Sequence, residues 1–380
     1  MGVTFLKRVI LLFCAALLLV PVYVSAGAVS TGASCAVLMD AGSGRILYEQ
    51  NIHERRPIAS ITKLLTALVA VENTEDLETL ITIQPEWTGI EGSSIYLKPG
   101  EKISMRVLLY GLLLQSGNDA AAAIAGYVAG GEEAFAERMN DCAARLNMEN
   151  SHFTNPSGLS DEGHYSTAYD MALLARECLS NQIVAEICAT QHIEVEGRTF
   201  YNHNKLLHCY EGCIGMKTGY TELAGRTLVS AAAKDGQTLI CVTLNDGNDW
   251  NDHEKLFDYG FETYPSHVLC TQGDRFGSIR VSGSLIPVLQ VAAEQTLTYP
   301  LKAGECPKLT VELAEETTAP VKAGKPVGRA VWSLNGDVIG ETALICSGSA
   351  DRNSYEKVKP WDRFFVGRKR TVTPSGAHLI

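Results

Sequence analysis

The chain has 380 residues, with 32 Lys and Arg against 43 Asp and Glu and a formal net charge of -11 at pH 7. That balance argues against nucleic acid as a partner and gives no sign of a broad cationic surface. The length exceeds one ordinary domain and suggests two.

Lys7 and Arg8 precede an apolar run over residues 9–20, and small residues follow at Val24-Ser25-Ala26 and Ala26-Gly27-Ala28. These are the three parts of a secretory signal peptide, residues 1–26, with cleavage after Ala26 or Ala28. A retained membrane anchor is the alternative, although the run is shorter than the roughly 20 residues a span needs. Cys14 lies inside the run. The other ten of the eleven cysteines are scattered through apolar stretches, with no C-x-x-C and no Cys/His array spaced for zinc. Most read as small core residues, and no metal or cofactor is expected. Cys209 and Cys213 are close enough to pair in an oxidising compartment.

Two apolar runs flank the turn Asp40-Ala41-Gly42-Ser43-Gly44 and predict a β-hairpin over residues 35–50. Ile61, Leu64, Leu65, Leu68 and Val69 then recur at helical spacing, so an amphipathic helix starts at Ser60-Ile61-Thr62-Lys63 and buries one face. A serine at a helix N-terminus sits beside free backbone N–H groups and the positive end of the dipole, which favour a developing negative charge. Lys63 lies one turn on, along the same face. It can take the serine's proton if burial lowers its pKa.

Residues 107–114 and 120–125 are apolar nearly all round and predict buried helices on both sides of Ser116-Gly117-Asn118. Such a polar break must face a cavity or the surface; in isolation it reads as an ordinary turn. Phe135, Met139, Cys142 and Leu146 continue an amphipathic helix, ended by the turn-rich Asn155-Pro156-Ser157-Gly158. A further helix follows Asp170 with Ser166 or Thr167 as its cap, and His164 reads as structural because no neighbour needs it as a base. Lys217-Thr218-Gly219 sits in a strand-like segment. Residues 226–233 and 238–244 pair naturally as an antiparallel hairpin across Lys234-Asp235-Gly236-Gln237. A helical pattern over 250–264 closes a first domain, residues 29–264. Beyond Cys270 come short β-prone runs and the hairpin turn Asn335-Gly336, which predict a small all-β domain at 270–350 with no recognisable chemistry. The tail, 351–380, carries Trp361, Phe364 and Phe365 among Arg363, Arg368, Lys369 and Arg370. It reads either as a short amphipathic anchor on an anionic membrane surface or as a disordered end limited by Pro360, Gly367 and Pro374.

Three polar runs decide the reading. Ser-x-x-Lys alone is expected by chance roughly once or twice in a chain this long, but Ser60-Ile61-Thr62-Lys63, Ser116-Gly117-Asn118 and Lys217-Thr218-Gly219 together in this order are on the order of one in a hundred. The trio resembles that of penicillin-binding proteins and β-lactamases. With Glu54-Arg55-Arg56-Pro57 just ahead of Ser60, the sequence is most similar to the low-molecular-weight serine-type D-alanyl-D-alanine carboxypeptidases. That resemblance implies an α/β (α+β) transpeptidase-like domain, an antiparallel sheet flanked by helices, followed by a small all-β C-terminal domain. It also implies an extracytoplasmic enzyme at the cell wall or outer membrane face, acting on peptidoglycan pentapeptide and acylated by β-lactam antibiotics.

Carried over to this chain, the resemblance makes Ser60 the nucleophile, Lys63 the general base and Ser116 a proton shuttle. Asn118 becomes a donor to the substrate's peptide carbonyl, Lys217 and Thr218 the carboxylate site, Gly219 the opening for close approach, and Ser60 and Tyr220 the backbone donors of the oxyanion hole. There is one departure. Many relatives carry an arginine about thirty residues after the Lys-Thr-Gly run to grip the substrate carboxylate, and the stretch 247–253 here contains none. A β-lactamase needs a deacylating carboxylate after the second motif, and residues 150–159 hold no Glu or Asp. An endopeptidase cutting cross-links uses the same residues and stays open. An inactive wall-binding module is disfavoured by the intact Ser60, Lys63, Ser116 and Lys217.

Overall fold

The computed structural model describes residues 29–353 and a short strand, Arg370–Val372. The signal-peptide expectation lies outside the described residues, and so do most of the residues that define the tail.

The first half is built on strands β1 (Cys35–Asp40), β2 (Ile46–Gln50), β7 (Cys213–Thr221), β8 (Gly225–Lys234) and β9 (Gln237–Leu244), with the small pairs β3 (Leu80–Thr82)/β4 (Lys102–Ser104) and β5 (His192–Val195)/β6 (Arg198–Tyr201) beside them. The five long strands form one antiparallel sheet in the order β2-β1-β9-β8-β7. All six residues of β1 are buried, because both faces of the sheet are covered. Val37 and Met39 turn into the main core, while Leu38 meets helix α7 (Asp249–Thr263) on the other side. That contact is tight: a Cβ at Gly260 would lie 2.7 Å from Leu38 Cδ2 and 2.6 Å from Leu239 Cδ1.

The remaining helices longer than one turn are α1 (Lys63–Glu72), α2 (Met105–Leu114), α3 (Asn118–Ala129), α4 (Glu132–Arg145), α5 (Ala168–Ser180) and α6 (Gln182–Ala189). Helix α1 is buried from Lys63 to Ala70, so it is a core helix rather than a surface one, wrapped by the others. Thr167 is the cap of α5 and accepts from Asp170 N–H at 3.0 Å. Helix α4 stops at Arg145, earlier than its apolar pattern suggests, since Asn147, two residues further on, adopts a left-handed backbone at φ 59° through which a helix cannot continue. A loop then runs to α5, and part of it enters the site described below.

The second half is all-β. Strands β10 (Ser266–Cys270) and β13 (Leu297–Pro300) pair, and β15 (Glu316–Thr318), β11 (Arg275–Ser282), β12 (Val288–Ala293), β17 (Asp337–Cys346), β16 (Pro326–Leu334), β14 (Lys308–Leu313) and β18 (Arg370–Val372) form a seven-stranded sheet in that order. Alternate residues such as Ile279, Val281, Val291, Trp332 and Leu344 build its core. Asn335 and Gly336, at φ 55° and 103°, make the two-residue turn between β16 and β17. Arg45, in the β1–β2 turn, fastens the two halves. It donates to Pro300 O at 2.7 Å, pairs with Glu305 at 2.6 and 2.8 Å, and lies over the rings of Tyr264 and Tyr299.

All ten cysteines of the described residues are free thiols, and seven of them are buried. The Cys209–Cys213 pairing is not formed: Cys209 Sγ faces Glu254 at 3.3 Å and Cys213 Sγ faces Gly215 O at 3.6 Å.

Candidate active site

Ser60 sits in a 3-10 turn, Ala59–Thr62, that feeds directly into α1. The turn has no side-chain N-cap and is held from within by Thr62 and from outside by Thr227 and His164. Ala59 adopts φ 52°, a left-handed backbone that costs a β-carbon-bearing residue free energy and needs surrounding support. Thr62 Oγ1 donates to Ala59 O at 2.8 Å, and Thr227 Oγ1 of β8 donates to Ile58 O at 2.9 Å. His164 completes this scaffold. Its Nδ1 accepts from Thr154 N–H at 3.2 Å, so the ring proton sits on Nε2 and is donated to Thr62 Oγ1 at 2.8 Å. Burial pushes this histidine down to about 4, which keeps it neutral in that role. Gly158 packs against the same carbonyl, where a Cβ would stand 2.0 Å from Ala59 O.

Lys63 is fully buried and makes three contacts from three separate segments: Ser60 Oγ at 3.1 Å, Asn118 Oδ1 at 2.8 Å, and the carbonyl of Ser157. Burial first, and then the charge of Lys217, hold its amine well below the usual lysine range, against the opposing pull of Asp119. An amine in that state presents a lone pair to the Ser60 hydroxyl. Lys217, on edge strand β7, is also buried and is pushed down to about 8 by desolvation. Its Nζ donates to Thr218 O at 2.9 Å rather than pointing into the cleft.

Ser60, Ser116, Thr218, Gly219 and Tyr220 border one open cavity of about 360 Å³. Ser116 holds φ 61° and its hydroxyl has no protein partner among the described residues. Gly219 is where β7 passes the nucleophile: a Cβ there would lie 2.9 Å from Ser60 N and 3.1 Å from Ile61 N. Asn118 does not border the cavity. Its Oδ1 takes Lys63 and one hydrogen of its Nδ2 goes to Glu91 O, so the amide that the sequence assigns to the substrate carbonyl is partly engaged within the protein. Next to it, Asp119 gathers Ser94 Oγ at 2.6 Å, Ile95 N at 3.0 Å and Leu97 N at 3.1 Å, and Asn118 N donates to Ser93 O at 2.7 Å. Those bonds strap residues 93–97 to the start of α3, with Ser93 bordering the cavity. Among the described residues no group of His, Cys, Asp and Glu could hold a metal ion.

Compared with known families, residues 23–248 match that of D-alanyl-D-alanine carboxypeptidase, peptidase S11. The chain belongs to the peptidase S11 family. Residues 264–352 match the family described as the C-terminal domain of penicillin-binding protein 5. Among curated relatives, the D-alanyl-D-alanine carboxypeptidase DacF of Bacillus subtilis is 30% identical over 82% of this chain and 84% of its own. DacC of Escherichia coli is 33% identical over 86% of both. Among solved structures, penicillin-binding protein 5 from Haemophilus influenzae superposes with a TM-score of 0.71 at 27% identity, covering 85% of this chain and 98% of that one. The family and fold therefore agree with the resemblance carried by the three polar runs. Four contributors were not legible in sequence: the Ser157 carbonyl, the His164–Thr62 relay, the Asp119 strap, and Arg226, which borders the cavity from β8. A backbone carbonyl has no signature, and His164, Asp119 and Arg226 are single polar residues outside the three runs.

Proposed function

We propose that the protein is a serine-type D-alanyl-D-alanine carboxypeptidase that removes the terminal D-alanine from peptidoglycan stem peptides through an acyl-enzyme. The observation that carries this reading is the Lys63 amine, stripped of water and 3.1 Å from the Ser60 hydroxyl. Ser60 Oγ loses its proton to Lys63 and attacks the penultimate D-alanine carbonyl. The oxyanion is received by the backbone N–H groups of Ser60 and Tyr220, and one such donor is typically worth about 10² to 10³ in rate. The tetrahedral intermediate collapses, and Ser116 relays a proton to the departing D-alanine nitrogen. Water, activated by the same amine, then cleaves the ester. Gly219 leaves room for the substrate to run along β7, with Thr218 at its carboxylate end and the Lys217 amine behind it.

The family implies an extracytoplasmic cell-wall enzyme that takes peptidoglycan peptides and β-lactams. A β-lactam enters by the same acylation, but its leaving group stays tethered and blocks the water. Intact mass after incubation with penicillin tests the reading: an adduct is expected on wild type and not on Ser60→Ala, and its absence from wild type would refute it. Export through the N-terminal signal and attachment by the aromatic and basic tail belong to the same proposal. Equal liposome co-sedimentation of the full chain and one cut at Asp351 would remove the attachment.

A further inference from the structure

We infer that Arg226 recognises the substrate's terminal carboxylate, supplying from strand β8 the guanidinium that the stretch 247–253 lacks. The inference rests on the carboxypeptidase reading and names a residue for its carboxylate end.

A substrate ending in a carboxylate needs a fixed cation where it lies. Lys63 is buried with its contacts inside the protein, and Lys217 is buried with Nζ on Thr218 O. His203 stands exposed at the cavity wall, and desolvation together with the charge of Lys217 lowers its pKa from the ordinary histidine value, which disfavours a charge there. Lys205 stands exposed at the rim with no side-chain partner among the described residues, a mobile charge screened by solvent. Of these basic side chains, Arg226 is the one that borders the cavity and is held in place by a carboxylate.

Its anchor is Asp249, the first residue of α7, in the very stretch where relatives carry their arginine. Arg226 Nε donates to Asp249 Oδ2 at 3.1 Å and Nη2 donates to Oδ1 at 2.8 Å and Oδ2 at 2.9 Å. The carboxylate itself is nearly inaccessible, at 3% exposure, whereas the arginine side chain is 42% exposed. Trp250 lies against the guanidinium, 5.4 Å from ring centre to Cζ. Asp249 thus consumes the side-on fork. The end-on fork, Nη1 with the outer hydrogen of Nη2, has no protein acceptor among the described residues and is the geometry that matches a carboxylate. Arg226 is the cross-strand partner of Tyr220 in the β7–β8 register, and Thr218, two residues from Tyr220, shares that face. The Thr218 hydroxyl is likewise without a partner among the described residues. Arg226 and Thr218 therefore border the Ser60 cavity as a two-donor clamp.

The test compares a tripeptide ending in D-alanyl-D-alanine with the same peptide as its C-terminal carboxamide. Arg226→Gln is expected to lower kcat/KM for the acid by about 10- to 100-fold, the usual worth of a hydrogen bond to a charge, while leaving the amide within about threefold. Arg226→Lys should recover only part of the acid's advantage, since lysine lacks the fork. The pair Arg226→Gln with Asp249→Asn leaves no buried charge unpaired and should give the same acid-to-amide ratio as Arg226→Gln alone. Equal losses on both peptides, or an unchanged ratio, would overturn the assignment. If the folded wild type turns over neither peptide, the carboxypeptidase reading fails at the first control and takes this inference with it.

Discussion

Gly158→Ala is the substitution for which the structure sets the sharpest expectation. Gly158 sits at φ 80°, and an added Cβ would stand 2.0 Å from Ala59 O, 2.5 Å from Ala59 C and 2.8 Å from Thr62 Oγ1. Contacts of that kind do not occur below 3.0 Å, so the Ala59 carbonyl or the 155–158 loop must retreat by at least about 1 Å. A left-handed alanine costs about 1–2 kcal/mol and overpacking a filled site about 1–3 kcal/mol, giving roughly 2–5 kcal/mol in chemical denaturation. Function should suffer as well. The displaced atoms belong to the residue before Ser60 and to the loop whose Ser157 carbonyl meets Lys63, and a shift near 1 Å at a catalytic pair costs on the order of 10²-fold in rate. Gly100→Ala is the matched control, because Gly100 also has φ 80° but meets nothing within 4 Å of its added Cβ. It should lose only the backbone part, about 1–2 kcal/mol, and keep its rate of acylation by penicillin. If Gly158→Ala acylates within twofold of wild type, or is no less stable than Gly100→Ala, the scaffold argument is wrong.

The acylation rate should rise with pH as Lys63 loses its proton, with its midpoint below the usual lysine range because burial and Lys217 hold it there. Lys217→Gln removes the second of those causes, so the midpoint should move upward in stopped-flow acylation; an unmoved midpoint would show that Lys217 does not tune the base. His253 is buried between Ser230 Oγ and Thr243 Oγ1 and is pushed down to about 3 by desolvation. Between pH 6.5 and about 3 the unfolded chain binds a proton there that the folded chain refuses. Its contribution is therefore complete above pH 6.5 and falls with acidification by up to ~1.4 kcal/mol per pH unit. His253→Gln should flatten denaturation free energy against pH in that window, and an unchanged slope would exclude the residue as its source.

Much of this molecule is legible in its sequence because its elements carry strong local patterns. The continuous apolar runs around Ser116 can only be buried helices, and the Asn335-Gly336 turn sets its hairpin register by itself. Ser60 and Lys63 are three residues apart and meet through local geometry alone. What sequence does not carry is long-range closure. Thr62 and His164 are 102 residues apart, and Arg226 and Asp249 lie on different elements, so no window along the chain pairs them. Asn118 shows a different limit. A motif names its residue type, but only packing decides that its amide oxygen takes Lys63 and one amide hydrogen goes to Glu91 O.

The three contacts of Lys63 come from residues 60, 118 and 157, and a fourth region, around 217, supplies the neighbouring charge. In a partly assembled chain this lysine is an ordinary hydrated ammonium, and Ser60 is as inert as any other alcohol. A fluorescent penicillin would thus act as a conformational stain, tallying finished molecules instead of total polypeptide. Loss of labelling during heating should then precede global unfolding wherever a single one of those four regions loosens first.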